Sequence, residues 1–303
     1  MQRRRFIRST AFTAGFLSLS PKDMLAALLQ EPAFKIKMLR NDVGVFTERG
    51  GTIAFYLSKE GIVVVDSQFP DQSKHLIDEL KKNNTQPFKL LINTHHHGDH
   101  SGGNISFKGI VEHVLAHENS KINQQRVAIE QKKEDQNLLP DQTFKDTWSG
   151  KVGGENISMQ YYGAAHTNGD AFIHFENANI VHTGDLVANR RHPFVDRSAG
   201  ANVKNWIQVV EKGMKKYDKK TIFVFGHAGE GYDVTGNADD LAAFRDYLSN
   251  LMKFVEGEIK AGKTKEEVIK ATTIPGVTEW KGDGLQRPLT AIYEELSVGA
   301  VTR

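Results

Sequence analysis

Four candidate metal ligands lie within six consecutive positions of this chain. Residues 95–100 read His-His-His-Gly-Asp-His, and they closely follow the apolar run Phe88–Asn93, which predicts a buried strand. A loop at the end of a strand can turn alternate side chains toward one point, whereas residues two apart on a helix do not share a face. The segment therefore predicts a metal site whose ligands include His95, His97, Asp99 and His100.

The composition limits the chemistry of such a site. The chain has 303 residues and no cysteine, which excludes thiolate ligands and leaves histidine and carboxylate side chains. Imidazole nitrogen and carboxylate oxygen both suit zinc. The competing interpretation is a surface histidine cluster that binds metal adventitiously. It is disfavoured because further histidines and aspartates recur beside other predicted strands and glycines.

Four such positions complete a known pattern. They are Asp66 after Val63-Val64-Val65, His166 in Gly-Ala-Ala-His-Thr, Asp185 in His-Thr-Gly-Asp and His227 in Phe-Gly-His. Together with residues 95–100 they make the chain resemble the metallo-β-lactamase superfamily, which includes class B β-lactamases, glyoxalase II and many lactonases. The resemblance extends over roughly residues 36–230 and includes all five motifs of that superfamily.

The resemblance implies a fold of the α/β class, the αββα sandwich, and a dinuclear metal centre with two zinc ions per chain. Iron and manganese are the alternative metals. The implied ligands are His95, His97 and His166 for the first metal, Asp99, His100 and His227 for the second, and Asp185 as the bridge. Asp99 would also be catalytic, orienting the attacking hydroxide and passing a proton to the leaving group. Asp66 would support the metal loop.

The order of predicted elements agrees with a sandwich. Strands are expected near residues 62–65, 88–93, 156–162, 171–175, 179–183 and 221–225, and helices near 72–82, 117–136, 203–216, 237–260, 264–271 and 287–297. A series of strands and helices occurs twice along the chain, and no Pro- or Ser-rich linker separates the first series from the second. Residues 31–303 are therefore expected to form one domain built from two lobes.

The first 30 residues read as a leader. Arg3-Arg4-Arg5 precede a short apolar run, Ala11–Leu19, which resembles a twin-arginine export signal. The run is shorter than the roughly 20 residues that span a bilayer, so stable membrane insertion is not expected. The export machinery is then a partner, and the protein is periplasmic or otherwise exported. An amphipathic or disordered N-terminal arm is the alternative.

The motifs predict a metal-dependent hydrolase of a small molecule whose scissile group is the carbonyl of a cyclic amide, lactone or ester. The prediction includes β-lactamase activity, but only a weak one. Cysteine-containing class B enzymes bind the β-lactam carboxylate with a lysine, and Ala188 occupies the position of that lysine here. Arg190 or Arg191 could supply that cation. A glyoxalase II-like thioester hydrolase is the alternative, suggested by the aspartate bridge. A diiron redox protein and a non-catalytic binding protein are less favoured.

Nucleic acid is not an expected partner, because the first 29 residues carry a balance of +4 and the remainder of the chain about −2, so no basic face remains. The other histidines are expected to be less important. His96 should point away from the metals and support them, and His192 should lie at the pocket mouth or in a solvated loop. Structural or solvent-facing roles are expected for His75, His113, His117, His174 and His182.

Overall fold

The strands form two large sheets and one short pair. The computed structural model describes residues 34–281 and 284–301, so the predicted leader, residues 1–30, lies outside the described residues and stays a prediction. The first sheet contains β1 (Lys35–Arg40), β2 (Val43–Thr47), β3 (Ile53–Leu57), β4 (Ile62–Val65), β5 (Phe88–Asn93), β6 (Val111–His117) and β7 (Gln142–Phe144). The later strands are β8 (Thr147–Val152), β9 (Glu155–Gln160), β10 (Phe172–Phe175), β11 (Ile180–His182), β12 (Ala188–Asn189), β13 (Ile222–Val224), β14 (His227–Ala228) and β15 (Thr235–Gly236).

Seven α-helices accompany the strands within the described ranges. They are α1 (Pro70–Asn83), α2 (Gly98–Ser101), α3 (Glu118–Gln131), α4 (Val203–Lys216), α5 (Ala238–Lys260), α6 (Lys265–Val268) and α7 (Gln286–Val301). Short 3₁₀ segments lie at Gly102–Phe107, Glu134–Gln136, Gly184–Leu186 and Arg197–Ala199. Among the described residues, no helix combines the length and the apolar character needed to cross a membrane.

The strand order brings the residues that follow β4 and β5 together at the carboxyl ends of these strands. That sheet runs β1-β2-β3-β4-β5-β6-β7, the second runs β15-β13-β11-β10-β9-β8, and β12 pairs with β14. Strands β4, β5 and β6 are parallel neighbours. Because the carboxyl ends of parallel strands meet at one edge, the residues that follow β4 and β5 lie side by side.

Strand β4 shows why the layers stack. All four of its residues are fully buried, and successive side chains point to opposite faces. Val63 packs with Ile173 in the apolar layer between the two sheets. Val64 packs on the other face with Leu76 of α1. A third cluster covers the outer face of the second sheet with α4, α5 and α7. This arrangement confirms the predicted αββα sandwich.

The observed elements differ from the predicted ones mainly at their ends. Helix α3 stops at Gln131 because Lys132 adopts a left-handed conformation and caps it. Helix α6 has a capping box at Thr264 but is only one turn long, shorter than the predicted 264–271. The metal-binding segment was expected to be a loop throughout, yet Gly98–Ser101 forms a helical turn. Asp99 and His100 are therefore presented by a helix, and His95 and His97 by the loop before it.

Trp206 of α4 links this helix to the segment that carries Asp185. It is fully buried, its indole N–H donates to the Leu186 carbonyl at 2.9 Å, and its ring lies 5.5 Å from that of His166. Trp206→Phe should lower the free energy of unfolding by about 1–3 kcal/mol, because the Leu186 carbonyl loses its buried donor. Denaturant unfolding measures this. Trp148→Phe, on the partly exposed strand β8, is the control. Equal losses in the two variants would contradict this role for Trp206.

Candidate metal centre

The structure brings all seven predicted ligand residues to one edge of the sandwich. They form two groups of side chains whose ligand atoms lie within 4.8 Å of one another. The first group is His95, His97, His166 and Asp185. The second group is Asp99, His100 and His227. The resemblance implied the same two sets of ligands with Asp185 shared between them, and the assignment of these residues to two metals stays a prediction.

In the first group three imidazole nitrogens converge. Nε2 of His95 lies 3.1 Å from Nδ1 of His97, and Nε2 of His166 lies 3.0 Å from the same Nδ1. In each ring the other nitrogen faces an acceptor. His95 Nδ1 faces the Thr94 hydroxyl at 3.0 Å, and His166 Nδ1 donates to the Phe194 carbonyl at 2.8 Å. The converging nitrogens are therefore free to present lone pairs to a shared cation.

The second group is arranged in the same way around His100. Its Nε2 lies 3.4 Å from Nε2 of His227, which is 3.1 Å from Oδ2 of Asp99. Nδ1 of His100 donates to Oδ2 of Asp66 at 2.7 Å. This bond fixes the tautomer and leaves Nε2 of His100 facing the group.

Asp185 stands between the two groups. Its Oδ1 lies 3.1 Å from Nε2 of His100 and 3.5 Å from Nε2 of His227, while its Oδ2 lies 3.6 Å from Nε2 of His166. Oδ1 is buried, and no side chain or backbone group of the described residues makes a hydrogen bond to it in good geometry. A buried carboxylate oxygen without a partner is costly. The donor set therefore fits two cations that share this carboxylate.

Burial and neighbouring charges set the charge states of His95, His166 and Asp185. It lowers the pKa of His95 well below the usual value and the pKa of His166 to about 3, so both rings are neutral at pH 7. Burial alone would raise the pKa of Asp185, but the neighbouring His227 and His100 lower it far below its usual range. Neutral imidazoles and an ionised carboxylate are the forms that bind metal.

Asp66 holds the loop that carries these ligands. It is fully buried in a left-handed conformation with φ of 67°, directly after β4. Its Oδ1 accepts from the Thr94 backbone N–H, and its Oδ2 accepts from the Thr94 hydroxyl, both at 2.8 Å. With its bond to His100, Asp66 takes the supporting place that the sequence predicted.

Two glycines let the backbone approach the ligands. A Cβ on Gly51 would lie 2.1 Å from Cε1 of His100, and one on Gly226 would lie 2.0 Å from Oδ1 of Asp185. Both distances are too short for any side chain to fit without a shift. These segments also join each other, since Thr52 N–H donates to the Gly226 carbonyl at 2.8 Å.

Asp196 is a site residue that the sequence did not reveal. Its Oδ2 accepts from Nε2 of His97 at 2.9 Å and lies 3.5 Å from Nε2 of His96. Because Nε2 of His97 carries the proton for this bond, Nδ1 of His97 can present its lone pair to the first group. His96 belongs to neither group, and its side chain lies beside Asp196 and His97 instead. Asp196 follows the unremarkable sequence Pro-Phe-Val, so no pattern marked it.

The other histidines largely match their expected roles. His182 is buried and donates to the Thr52 carbonyl at 2.9 Å, while the exposed His75 and His113 contact the carboxylates of Glu48 and Asp141. His192 lines the pocket beside the two groups, and its Nδ1 is 2.8 Å from the Tyr247 hydroxyl. Of its two expected positions, the pocket mouth is the one observed.

A cavity of about 350 Å³ opens over both groups. Its lining consists of His97, Gly98, Asp99, Asp185, Ala188, Arg191, His192, Pro193, Phe194, His227 and Arg287. Arg190 does not contribute, because it forms ion pairs with Asp240 and Glu279 instead. Of the two arginines that the sequence offered as cations, only Arg191 reaches the cavity. Arg287, which the sequence did not reveal, joins it from the first turn of α7.

Comparison with known proteins places this architecture in a family. The family model described as the Metallo-beta-lactamase superfamily matches residues 47–227. Metallo-beta-lactamase IND-1 from Chryseobacterium indologenes is 26% identical over 230 residues, which are 74% of this chain and 90% of the relative. A Metallo-beta-lactamase type 2 from Bacillus cereus is 27% identical over 208 residues, which are 65% of this chain and 77% of the relative.

Solved structures share the fold. A metallo-beta-lactamase from Pontibacter korlensis has a TM-score of 0.60 and 23% identity, covering 72% of this chain and 99% of that one. The sec-alkylsulfatase Pisa1 from Pseudomonas sp. has a TM-score of 0.69 and 16% identity, covering 86% of this chain and 49% of that one. With the family model matching more than half of its length, this chain belongs to the metallo-beta-lactamase superfamily of hydrolases.

Proposed function

We propose that this protein is a dinuclear zinc hydrolase that cleaves a small cyclic amide, lactone or ester. One observation carries the proposal. Nδ1 of His97 lies within 3.1 Å of Nε2 of His95 and of Nε2 of His166, while the other nitrogen of each ring faces an acceptor. Lone pairs at that separation repel one another unless a cation lies between them. The histidine and carboxylate donors favour zinc.

The residue roles follow from the two groups. We assign His95, His97 and His166 to one zinc, Asp99, His100 and His227 to the other, and Asp185 to both. Zinc ions held there would lower the pKa of a water toward 7 and polarise the substrate carbonyl. Asp99 both belongs to the second group and lines the cavity, so its carboxylate can orient the attacking water. It can then carry the proton to the leaving group.

Asp196 has a positioning role in this proposal. Its bond to Nε2 of His97 determines which nitrogen of that ring faces the first group. Hydrogen bonds from Ser198 and Ala199 hold the Asp196 carboxylate in place. Burial would raise the pKa of Asp196, but bonds from His96, His97 and Ser198 hold it far below the usual range, so the carboxylate stays ionised.

Metal content tests the two-group assignment. Zinc-reconstituted protein should contain about two metal equivalents by elemental analysis, because seven ligands form two groups. His227→Ala should lose about one equivalent, and Asp185→Ala should weaken both sites, since one carboxylate serves both. His113→Ala, on the surface, is the matched control. A wild-type content near zero, or loss of both equivalents in His227→Ala alone, would contradict the assignment.

Asp196→Asn tests the positioning role. The amide keeps the size of the side chain but removes the negative charge that holds the His97 N–H. We expect zinc affinity to fall roughly 10- to 100-fold, measured by competition with a coloured chelator. Asp141→Asn, which removes a surface carboxylate bonded to His113, should leave the affinity unchanged. Equal affinities in both variants and the wild type would remove Asp196 from the site.

A substrate panel tests the reaction class. The zinc form should hydrolyse members of a lactone, ester and thioester panel and leave a phosphodiester intact, and chelation or His97→Ala should abolish turnover. Nitrocefin should be cleaved roughly 10- to 150-fold less efficiently than the best substrate, because Ala188 offers no charge-assisted hydrogen bond to its carboxylate. A thioester as the best substrate would favour the glyoxalase II-like alternative. Hydrolysis of the phosphodiester alone would refute the proposal.

A further inference from the structure

Another cavity, of about 510 Å³, lies between the short helix α2 and helix α3. It is separate from the cavity over the two ligand groups, since Gly98 is the only described residue that lines both. Its apolar wall consists of Phe69, Ile105, Val127 and Ala128. The charged side chains at this cavity, Lys133 and Asp135, are exposed and opposite in sign. Because an apolar wall disfavours a charge, the cavity suits an uncharged ligand.

Gln124 of α3 presents a hydrogen-bond acceptor to this cavity. The residue is only 6% exposed, and it lines the cavity. Its Nε2 donates to Oδ1 of Asn93 at 3.1 Å and lies 3.4 Å from the Ser120 hydroxyl, whereas its Oε1 has no hydrogen-bond partner among the described residues. Oε1 nevertheless keeps some accessible surface. Since that surface lies at the cavity, Oε1 can accept a hydrogen bond from a ligand there.

The neighbours of Gln124 determine which end of its amide faces the cavity. Asn93 and Asn104 form a reciprocal pair, in which each Nδ2 donates to Oδ1 of the other at 3.0 and 2.8 Å. The backbone carbonyl of Leu138 also accepts from Nδ2 of Asn104, which fixes the orientation of the pair. Oδ1 of Asn93 is therefore an acceptor. A flipped Gln124 would set its own oxygen against this Oδ1, so the amide nitrogen points inward and the oxygen points to the cavity.

Ser101 of α2 supplies a second acceptor. It is 7% exposed and lines the same cavity. Its hydroxyl donates to the His96 carbonyl at 2.9 Å and lies 3.1 Å from the His97 carbonyl. The hydroxyl proton is thereby used within the protein, and only lone pairs of Oγ are left for a ligand. Ser101 and Gln124 are both uncharged acceptors, and their complement is a ligand with N–H or O–H donors.

We infer that this cavity is an effector site for an uncharged, largely apolar molecule that carries an N–H or O–H donor. Gln124 is bonded to Asn93, which ends the strand before the ligand segment, and Ser101 is bonded to the backbone within that segment. A ligand that contacts both residues binds only while the segment is folded, so it stabilises the segment against local opening. It does so without entering the cavity over the two ligand groups.

Indole and benzofuran test the site, because they share a shape and differ by one N–H donor. Dissociation constants for the full chain, from ligand-observed NMR titrations, should show that indole binds roughly tenfold more tightly. Gln124→Met keeps the length of the side chain but removes the acceptor, and it should abolish this preference. Gln125→Met, at the exposed neighbouring position of α3, is the matched control and should retain it. Equal binding of the two probes to the wild type, or an unchanged preference in Gln124→Met, would overturn the inference.

A second pair of variants tests the location and the effect. Val127→Phe should fill part of the cavity and weaken the binding of both probes roughly tenfold or more, whereas Ile129→Phe, on the exposed face of α3, should not. Saturating indole should slow hydrogen exchange of the amides of residues 96–103 severalfold in the wild type. Unchanged affinity in Val127→Phe, or unchanged exchange in this segment, would contradict the effector site. Neither probe has a scissile carbonyl, so these results do not depend on the proposed hydrolase function.

Discussion

The candidate site depends first on the buried carboxylate of Asp66. This residue directly follows β4 in a left-handed conformation that non-glycine residues seldom adopt, and it is fully buried. Three donors offset the cost of burying its charge: the backbone and hydroxyl of Thr94, and Nδ1 of His100. The bond to His100 orients the second group directly. The bond to Thr94 orients the first group, because the same hydroxyl faces Nδ1 of His95.

The segments that follow the strands of the second sheet meet this loop closely at two glycines. Gly226 packs against Asp185, and its carbonyl accepts a hydrogen bond from the backbone N–H of Thr52. Gly51, the neighbour of Thr52, packs against the ring of His100. His182 of β11 also donates to the Thr52 carbonyl. The site therefore lies where the edges of the two sheets meet. Separation of the sheets would disrupt both donor groups at once.

Much of the fold and of the ligand set could be predicted from sequence because each left a local pattern. Four successive β-branched residues, 62–65, can be buried on both faces only as an inner strand, and the structure shows this. The amphipathic spacing of residues 203–216 predicted α4 with its observed bounds. The candidate ligands were recognised because their histidines and aspartates match the five motifs of a known family, and the structure brings them to one edge of the sandwich.

The rest could not be predicted because it depends on tertiary contacts without a local pattern. Asp196 is one aspartate among many until the fold places it 2.9 Å from His97, 99 positions away. Arg287 lies outside the matched residues 47–227, and only the packing of α7 brings it to the cavity. The turn Gly98–Ser101 was missed because four residues are too few for helical periodicity.

The site consists of buried histidines, which the protein holds in place, and exposed side chains at the wall of the cavity. His95, His100 and His166 are fully buried, and each has one ring nitrogen facing an oxygen of the protein, so a substitution there disturbs packing and metal affinity together. Arg191 and Arg287 are exposed at the cavity wall. Substitution of exposed side chains usually changes stability by only about 0.5 kcal/mol. Substitutions at the exposed cavity wall can therefore change substrate preference while the buried histidines stay in place. In this way one fold can serve many hydrolases.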